Sequence, residues 1–279
     1  MQDSASIKNV PSLNDYYRKV HFGFAAGRLD LPPALIGECT DRRNFDAAEL
    51  PYEYWSGLPS EVKARLKKRF PVLHCGNFFA PGLTELITGA DKNLRNQFVR
   101  VCSGILRELA AEGIAYGALD FSLTQLLQDE SRLEIVTGLL RKLHPVLLET
   151  GVTLLLPVRL PLPDPLLKEK ITRFLRDEMI PNLKLRLEIY PHQLKPDFKP
   201  EDVAGTFRLE TRSVLFCCNA DTGNRIVRAH LTSWLRYFAL NAFPGPYLFC
   251  PFSRENRLAA AESEALSKLT GEINKLQAD

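Results

Sequence analysis

Residues 152–190 read VTLLLPVRLPLPDPLLKEKITRFLRDEMIPNLKLRLEIY. Two segments of strand length, Val152–Leu160 and Leu183–Tyr190, stand at the two ends of this stretch. The first is mostly apolar, and the second alternates apolar with polar residues. The segment between them repeats its apolar residues at helical spacing, and Asp164 followed by Pro165 is a typical helix start. Such strand–helix–strand units have right-handed crossovers, so the stretch predicts two parallel strands.

The same alternation continues through the rest of the chain. The predicted strands are Val20–Ala25, Ala34–Thr40, Val72–Phe79, Ile114–Phe121, Val152–Leu160, Leu183–Tyr190, Val214–Asn219 and Tyr247–Phe252. The predicted helices are Ser60–Arg69, Asp91–Glu112, Arg132–Thr150, Pro165–Met179, Ile226–Asn241 and Arg257–Gln277. The segment His192–Arg212 is rich in proline and charge, and the pattern leaves its structure open.

Eight strands alternating with helices in 279 residues predict a single (β/α)₈ TIM-type barrel. The barrel is predicted as one domain over residues 1–279, with residues 1–19 as an N-terminal extension. An open, doubly wound sheet is the alternative fold.

Composition narrows the range of partners. The formal net charge is only +3, which argues against a nucleic-acid surface, and no apolar run reaches the roughly 18 residues needed to cross a membrane. The N-terminus lacks the apolar core of a signal peptide, and the six cysteines show no zinc-finger spacing. We therefore expect a cytoplasmic protein with reduced thiols and neither nucleic acid nor membrane as partner.

The predicted strand Leu183–Tyr190 has two chemically different faces. Leucine and isoleucine fall on one face, and Lys184, Arg186, Glu188 and Tyr190 fall on the other. In a barrel the apolar face packs against the helices, so the polar face is predicted to line the lumen. Buried charges need partners, and Glu38, His74, Asn77, Asp120 and Arg159 on other strands are candidates.

Polar residues also follow several predicted strands, at the end where barrel enzymes keep their sites. Arginines gathered at one rim bind carboxylates, phosphates or polyhydroxylated molecules well. We therefore expect a small polar or anionic, carbohydrate-like partner. The predicted substrate-binding residues are Glu38, Arg42, His74, Asn77, Arg159, Arg186, Tyr190, Asn219 and Arg254.

Three stretches resemble strands of the xylose-isomerase-like barrels, which include sugar isomerases and epimerases and the endonuclease IV type of DNA-repair enzyme. VLHCGNFFAPG (Val72–Gly82) looks like a family strand that carries a histidine, and LRLEIYPHQL (Leu185–Leu194) is similar to one that ends in an acid and then a histidine. FCCNADTG (Phe216–Gly223) looks like the family strand that ends in His-x-x-Asp, with cysteine in place of the histidine. The resemblance covers roughly residues 34–277.

The resemblance implies sugar isomerase or epimerase chemistry with a bound divalent metal. His74, Glu188, His192 and Asp221 are the positions that could supply metal ligands. Two family glutamates are missing, because the mid-barrel strand offers Arg159 and the last strand reads YLFCPF. These departures count against a metal, since a positive charge stands where a cation should bind.

Three functional hypotheses follow. In the first, the barrel is an isomerase or epimerase in which Glu188 is the proton-transfer base, with His192 or Asp120 as its partner. In the second, the barrel binds a small anionic or carbohydrate ligand without catalysis. In the third, Asp120 and Glu188 are the carboxylate pair of a glycoside hydrolase. The sequence leaves the oligomeric state open, a homo-oligomer included.

Overall fold

The computed structural model describes residues 21–25, 45–76, 78–79, 83–119, 121–195, 197, 199–219, 225–241, 243 and 245–252. The strands are β1 (Phe22–Ala25), β2 (Ala47–Pro51), β3 (Val72–Gly76), β4 (Tyr116–Ala118), β5 (Thr153–Leu160), β6 (Leu183–Ile189), β7 (Thr211–Asn219) and β8 (Tyr247–Phe252). The helices are α1 (Tyr52–Ser56), α2 (Ser60–Arg69), α3 (Leu83–Gly89), α4 (Lys92–Ala111), α5 (Leu123–Leu126), α6 (Glu130–Thr150), α7 (Leu166–Glu178), α8 (Pro200–Phe207) and α9 (Arg225–Leu240). Pro191–Gln193 form a short 3-10 helix.

The strands form one closed barrel in chain order, β1 to β8. Every neighbouring pair is parallel, and β1 closes the barrel against β8. Closure leaves no sheet edge, and the helices between the strands cover the outside. The prediction of a (β/α)₈ TIM-type barrel is therefore confirmed, and the open sheet is excluded.

The second strand lies later in the chain than the sequence predicts. β2 has the sequence AAELP and pairs with β1 and β3, so the prediction of Ala34–Thr40 as the second strand was wrong. Residues 34–40 themselves lie outside the described residues. AAELP lacks β-branched and aromatic residues and ends in proline, so its pattern does not indicate a strand. β1 and β2 approach closely at Gly23, because a Cβ on this residue would overlap the backbone of Ala47.

The helices begin and end largely as their caps indicate. Asp91 accepts a hydrogen bond from Leu94 N at 2.9 Å at the start of α4, and Gly151 ends α6 with φ 67°. The structure places α8 inside His192–Arg212, the segment that the sequence pattern left open. Pro200 occupies the first turn of α8, where proline is well tolerated. The predicted helix Arg257–Gln277 lies outside the described residues.

The barrel separates two buried layers. Leu185, Leu187 and Ile189 of β6 belong to the large core between strands and helices, as their alternation predicts. Inside the barrel a smaller apolar cluster fills part of the lumen. Its members are Ala25, Ala47, Leu215, Cys217, Leu248 and Cys250, with Val72 and Tyr190 packed against it. In the described part of the chain, no helix is long and apolar enough to cross a membrane.

Candidate functional site

Two strands bring charged side chains together inside the barrel. Arg159 of β5 and Glu188 of β6 are register partners, and each is the second-to-last residue of its strand. Both therefore lie near the C-terminal ends of the strands, at the opening that we call the mouth. Barrel enzymes place their reacting groups at this end.

Four charged residues follow one another through the lumen. Arg186 Nη1 donates hydrogen bonds to Glu49 Oε1 at 2.8 Å and Oε2 at 3.0 Å. Arg186 Nη2 donates to Glu188 Oε1 at 2.9 Å. Arg159 Nε stands 3.7 Å from Glu188 Oε2, an ion pair too long to be a hydrogen bond. We call Glu49, Arg186, Glu188 and Arg159, in this order, the charge row.

The charge row runs from the interior to solvent. The side chains of Glu49 and Arg186 are each 1% exposed and that of Glu188 is 0% exposed, whereas that of Arg159 is 41% exposed. The signs alternate, so the outermost charge is positive. In a water-poor lumen each ion interacts strongly with its neighbour, and pairing offsets the large desolvation cost of burying it.

The local backbone fixes both arginines. The backbone N–H of Arg159 donates to Thr124 Oγ1 at 3.3 Å, which ties the end of β5 to α5, the short helix that follows β4. At Arg186 the pairing of β6 with β7 shifts register between Leu185 and Arg186. Irregular pairing of this kind redirects side chains and is common beside functional sites.

Glu49 needs space that a glycine provides. A Cβ on Gly76 of β3 would lie 2.5 Å from Glu49 Oε1 and 2.9 Å from its Cδ. Any residue larger than glycine at this position would therefore push the Glu49 carboxylate away from Arg186.

His74 lies deeper in the barrel than the mouth. It is the register partner of Tyr116, which begins β4 and pairs with Thr153 at the start of β5. Its ring packs on Tyr116 with centroids 4.5 Å apart, and within the described residues neither ring nitrogen has a hydrogen-bond partner. Burial, and then the positive charge of Arg186, lowers the pKa of His74 to about 3, so the imidazole is neutral.

The structure therefore brings together only some of the predicted site residues. Glu188 pairs with both Arg159 and Arg186, and Tyr190, two residues after Glu188, packs against the lumen cluster. Lys184 pairs instead with Glu210, with Nζ 2.6 Å from Oε2. The backbones of His192 and Asn219 lie in the 3-10 helix and β7, but nothing is described of their side chains. The remaining candidates, all outside the described residues, are Glu38, Arg42, Asn77, Asp120, Asp221 and Arg254.

The sequence missed Glu49, the inner end of the charge row. Glu38 was the carboxylate expected from the second strand, because that strand was predicted at Ala34–Thr40. Glu49 was therefore not a candidate. The available signal was the alternation of Ala47 and Glu49 with Ala48 and Leu50, which is too short to stand out.

The donor groups in the described part of the chain do not fit the divalent metal that the resemblance implies. No group of three or more His, Cys, Asp or Glu side chains within the described residues could hold a metal ion. Glu49 and Glu188 both accept hydrogen bonds from Arg186, and Arg159 adds a second guanidinium beside Glu188. A cation at this place would meet two positive charges at close range.

Comparison with known proteins establishes the fold. No family model matches the chain, and no curated protein matches it. Among solved structures, D-psicose 3-epimerase from Clostridium cellulolyticum H10 superimposes with a TM-score of 0.61 at 14% identity, over 93% of this chain and 97% of that one. A 3-keto-D-glucoside 4-epimerase from E. coli gives 0.66 at 16% identity, over 91% and 100%.

A xylose isomerase domain protein from Alicyclobacillus acidocaldarius gives a TM-score of 0.56 at 14% identity, over 92% of this chain and 100% of that one. The chain thus shares the barrel fold of these proteins, which is the fold that its three resembling stretches imply. At these identities the likeness defines the fold and leaves the chemistry to be argued from the residues.

Proposed function

We propose that this chain binds a small carbohydrate-like molecule at the mouth of the barrel, without a protein-bound divalent metal. The observation that carries the proposal is the pairing of Glu188 with the half-exposed Arg159 at the C-terminal ends of β5 and β6. Among the structural neighbours, one epimerase was crystallised with D-tagatose and another is in complex with D-allulose. Those sugars are therefore suitable first probes.

An arginine–glutamate pair suits sugar hydroxyl groups. A hydroxyl both donates and accepts hydrogen bonds, so it can donate to a carboxylate and accept from a guanidinium at once. Bonds to charged partners are stronger than those between neutral groups. Tyr190, two residues after Glu188, is half-buried against the lumen cluster and adds an aromatic ring to the lining of the barrel.

Thermal unfolding in the presence of sugars tests this proposal. The protein is treated with a chelator, and its Tm is measured with D-tagatose, D-allulose, aldoses and sugar acids. We expect at least one to raise the Tm, because a ligand that binds only the folded state stabilises it. The shift should disappear in Glu188→Gln and persist in Arg107→Gln, whose guanidinium pairs with Glu149 on the exposed surface. No shift with any sugar would refute the proposal.

A second candidate function is metal-independent isomerisation or epimerisation with Glu188 as the base. The observation that favours it is the position of Glu188 between two guanidinium groups, which could stabilise the negative charge of an enediolate. Proton NMR in D₂O tests it, because abstraction of a carbon-bound proton replaces that proton with deuterium. Exchange that is lost in Glu188→Gln supports catalysis. Binding without exchange supports a non-catalytic barrel.

The glycoside hydrolase hypothesis gains no support from the described residues. Its second carboxylate, Asp120, lies outside them, and the carboxylate that the structure does place near Glu188 along the charge row is Glu49. Glu49 is fully buried and accepts two hydrogen bonds from Arg186, which suits a structural ion pair.

A further inference from the structure

The outer end of the charge row is a guanidinium with spare hydrogen-bonding capacity. Arg159 carries five N–H donors. Within the described residues its side chain has one ionic partner, Glu188 at 3.7 Å, and Nε is buried without a hydrogen-bond partner. A half-exposed arginine with unused donors is suited to receive a further acceptor from outside.

The order of the charges in the charge row favours a negative acceptor at its outer end. Arg186 is hydrogen-bonded to both Glu49 and Glu188, so this inner part of the charge row holds two negative charges and one positive charge. Arg159 brings the sum to zero and places its positive charge at the solvent end. The charges alternate in sign from Glu49 to Arg159. An anion bound beside Arg159 would continue this alternation, whereas a cation there would be repelled.

Arg159 is also held in position to make such a contact. It lies within a strand that is paired along its length with β6, and its backbone N–H is fixed by Thr124. Sites on rigid strands lose less entropy on binding than sites on loops, because fewer groups must be ordered.

We infer that Arg159 takes the place of a metal cation in this barrel and selects a sugar that carries an anionic group, a carboxylate or a phosphate. The anionic group pairs with the Arg159 guanidinium as the fifth member of the alternating row, and the sugar hydroxyls contact the rest of the mouth. This inference rests on the proposed function, because it names the class of carbohydrate that the mouth binds.

Calorimetric titration with matched probes tests the inference. Gluconate and glucitol differ only in a carboxylate against a hydroxymethyl group, and glucose 6-phosphate and glucose differ only in the phosphate. We expect one of the two anions to bind at least about tenfold more tightly than its neutral partner, since hydrogen bonds between charged groups are stronger than those to a neutral hydroxyl. The identity of the preferred anion separates a sugar acid from a sugar phosphate.

Variants of Arg159 show whether this residue is responsible. In Arg159→Gln the ratio of the affinities for the anion and for its neutral partner should fall to about one. Arg159→Lys should restore part of the preference, since lysine keeps the positive charge but lacks the paired N–H donors of the guanidinium. Arg141→Gln, which removes an exposed guanidinium paired with Glu178, should leave the preference intact. The preference should also weaken with added salt.

The outcomes distinguish failure of this inference from failure of the proposed function. Equal affinity for the anionic and neutral probes, or an anion preference that survives Arg159→Gln, overturns the inference and leaves the proposed function standing. If neither these probes nor any sugar binds, the proposed function itself fails, and the inference fails with it.

Discussion

Arg186 and Glu49 are 137 residues apart in the sequence, yet Arg186 Nη1 lies 2.8 and 3.0 Å from the two carboxylate oxygens of Glu49. The two residues belong to β6 and β2, which are not neighbours in the barrel, so their contact crosses the lumen. A second nitrogen of the same guanidinium binds Glu188. The contact therefore links the interior of the barrel to the residues at its mouth.

Removal of Arg186 should be strongly destabilising. Arg186→Leu leaves the buried Glu49 and Glu188 without their main cation, and loss of one partner of a buried ion pair costs about 3–5 kcal/mol. Urea unfolding measures this loss. The control is Arg107→Leu, which removes an equally short pair from the surface. About half of each side chain is exposed there, so solvent screens the pair and its loss should cost far less than that of Arg186. Equal costs for the two variants would contradict the buried charge row.

Gly76→Ala should separate Glu49 from Arg186. The added Cβ would stand 2.5 Å from Glu49 Oε1, and overpacking of this kind typically costs about 1–3 kcal/mol. The control is Gly138→Ala in the middle of α6, where a Cβ meets open space and should stabilise the helix by about 0.5–1 kcal/mol. In a Glu49→Ala background, Gly76→Ala should hardly change the free energy of unfolding. An unchanged cost there would mean that Glu49 is not the residue displaced.

His74 should make the protein less stable in weak acid. Burial lowers the pKa of His74 to about 3 in the folded state, from its ordinary value of 6.5, so between these values the unfolded chain binds a proton that the folded chain does not. This contribution is complete above about pH 6.5 and is lost as the pH falls toward 3, with a slope of at most about 1.4 kcal/mol per pH unit.

The difference between wild type and His74→Phe isolates this contribution from that of the acidic groups. The difference in unfolding free energy should grow in favour of the variant as the pH is lowered through this window. Exposed His144 on α6 provides the control, and His144→Gln should show no such trend. A difference that is constant with pH would show that His74 is not buried as a neutral ring.

Much of this barrel could be predicted from the sequence, because its longer strands are strongly apolar. β5 is a nearly continuous apolar run of strand length, and β6 alternates apolar with polar residues. This alternation predicted the polar face of β6 inside the barrel, where Arg186 and Glu188 are buried. β2 could not be found in this way, since its five residues carry too short a pattern and a proline at the end.

The candidate site was less predictable than the fold. The contact of Glu188 with Arg159 depends on the register of β5 with β6. The hydrophobic pattern leaves this register open by two residues, because such a shift keeps the same side chains on the same face. That Glu49 meets Arg186 depends on closure of the barrel, which brings together strands far apart in the chain. His74 was expected at the site, but its place opposite the first residue of β4 puts it deeper in the lumen.

The most direct test of the charge row is the metal content of the purified protein, measured per chain by elemental analysis for wild type and Glu188→Gln. If guanidinium groups supply the positive charge at the mouth, no metal should depend on Glu188, and the two proteins should hold the same amount. About one zinc, manganese or magnesium ion per chain in the wild type that is lost in Glu188→Gln would contradict the account, because Glu188 would then bind a cation where Arg186 and Arg159 now stand.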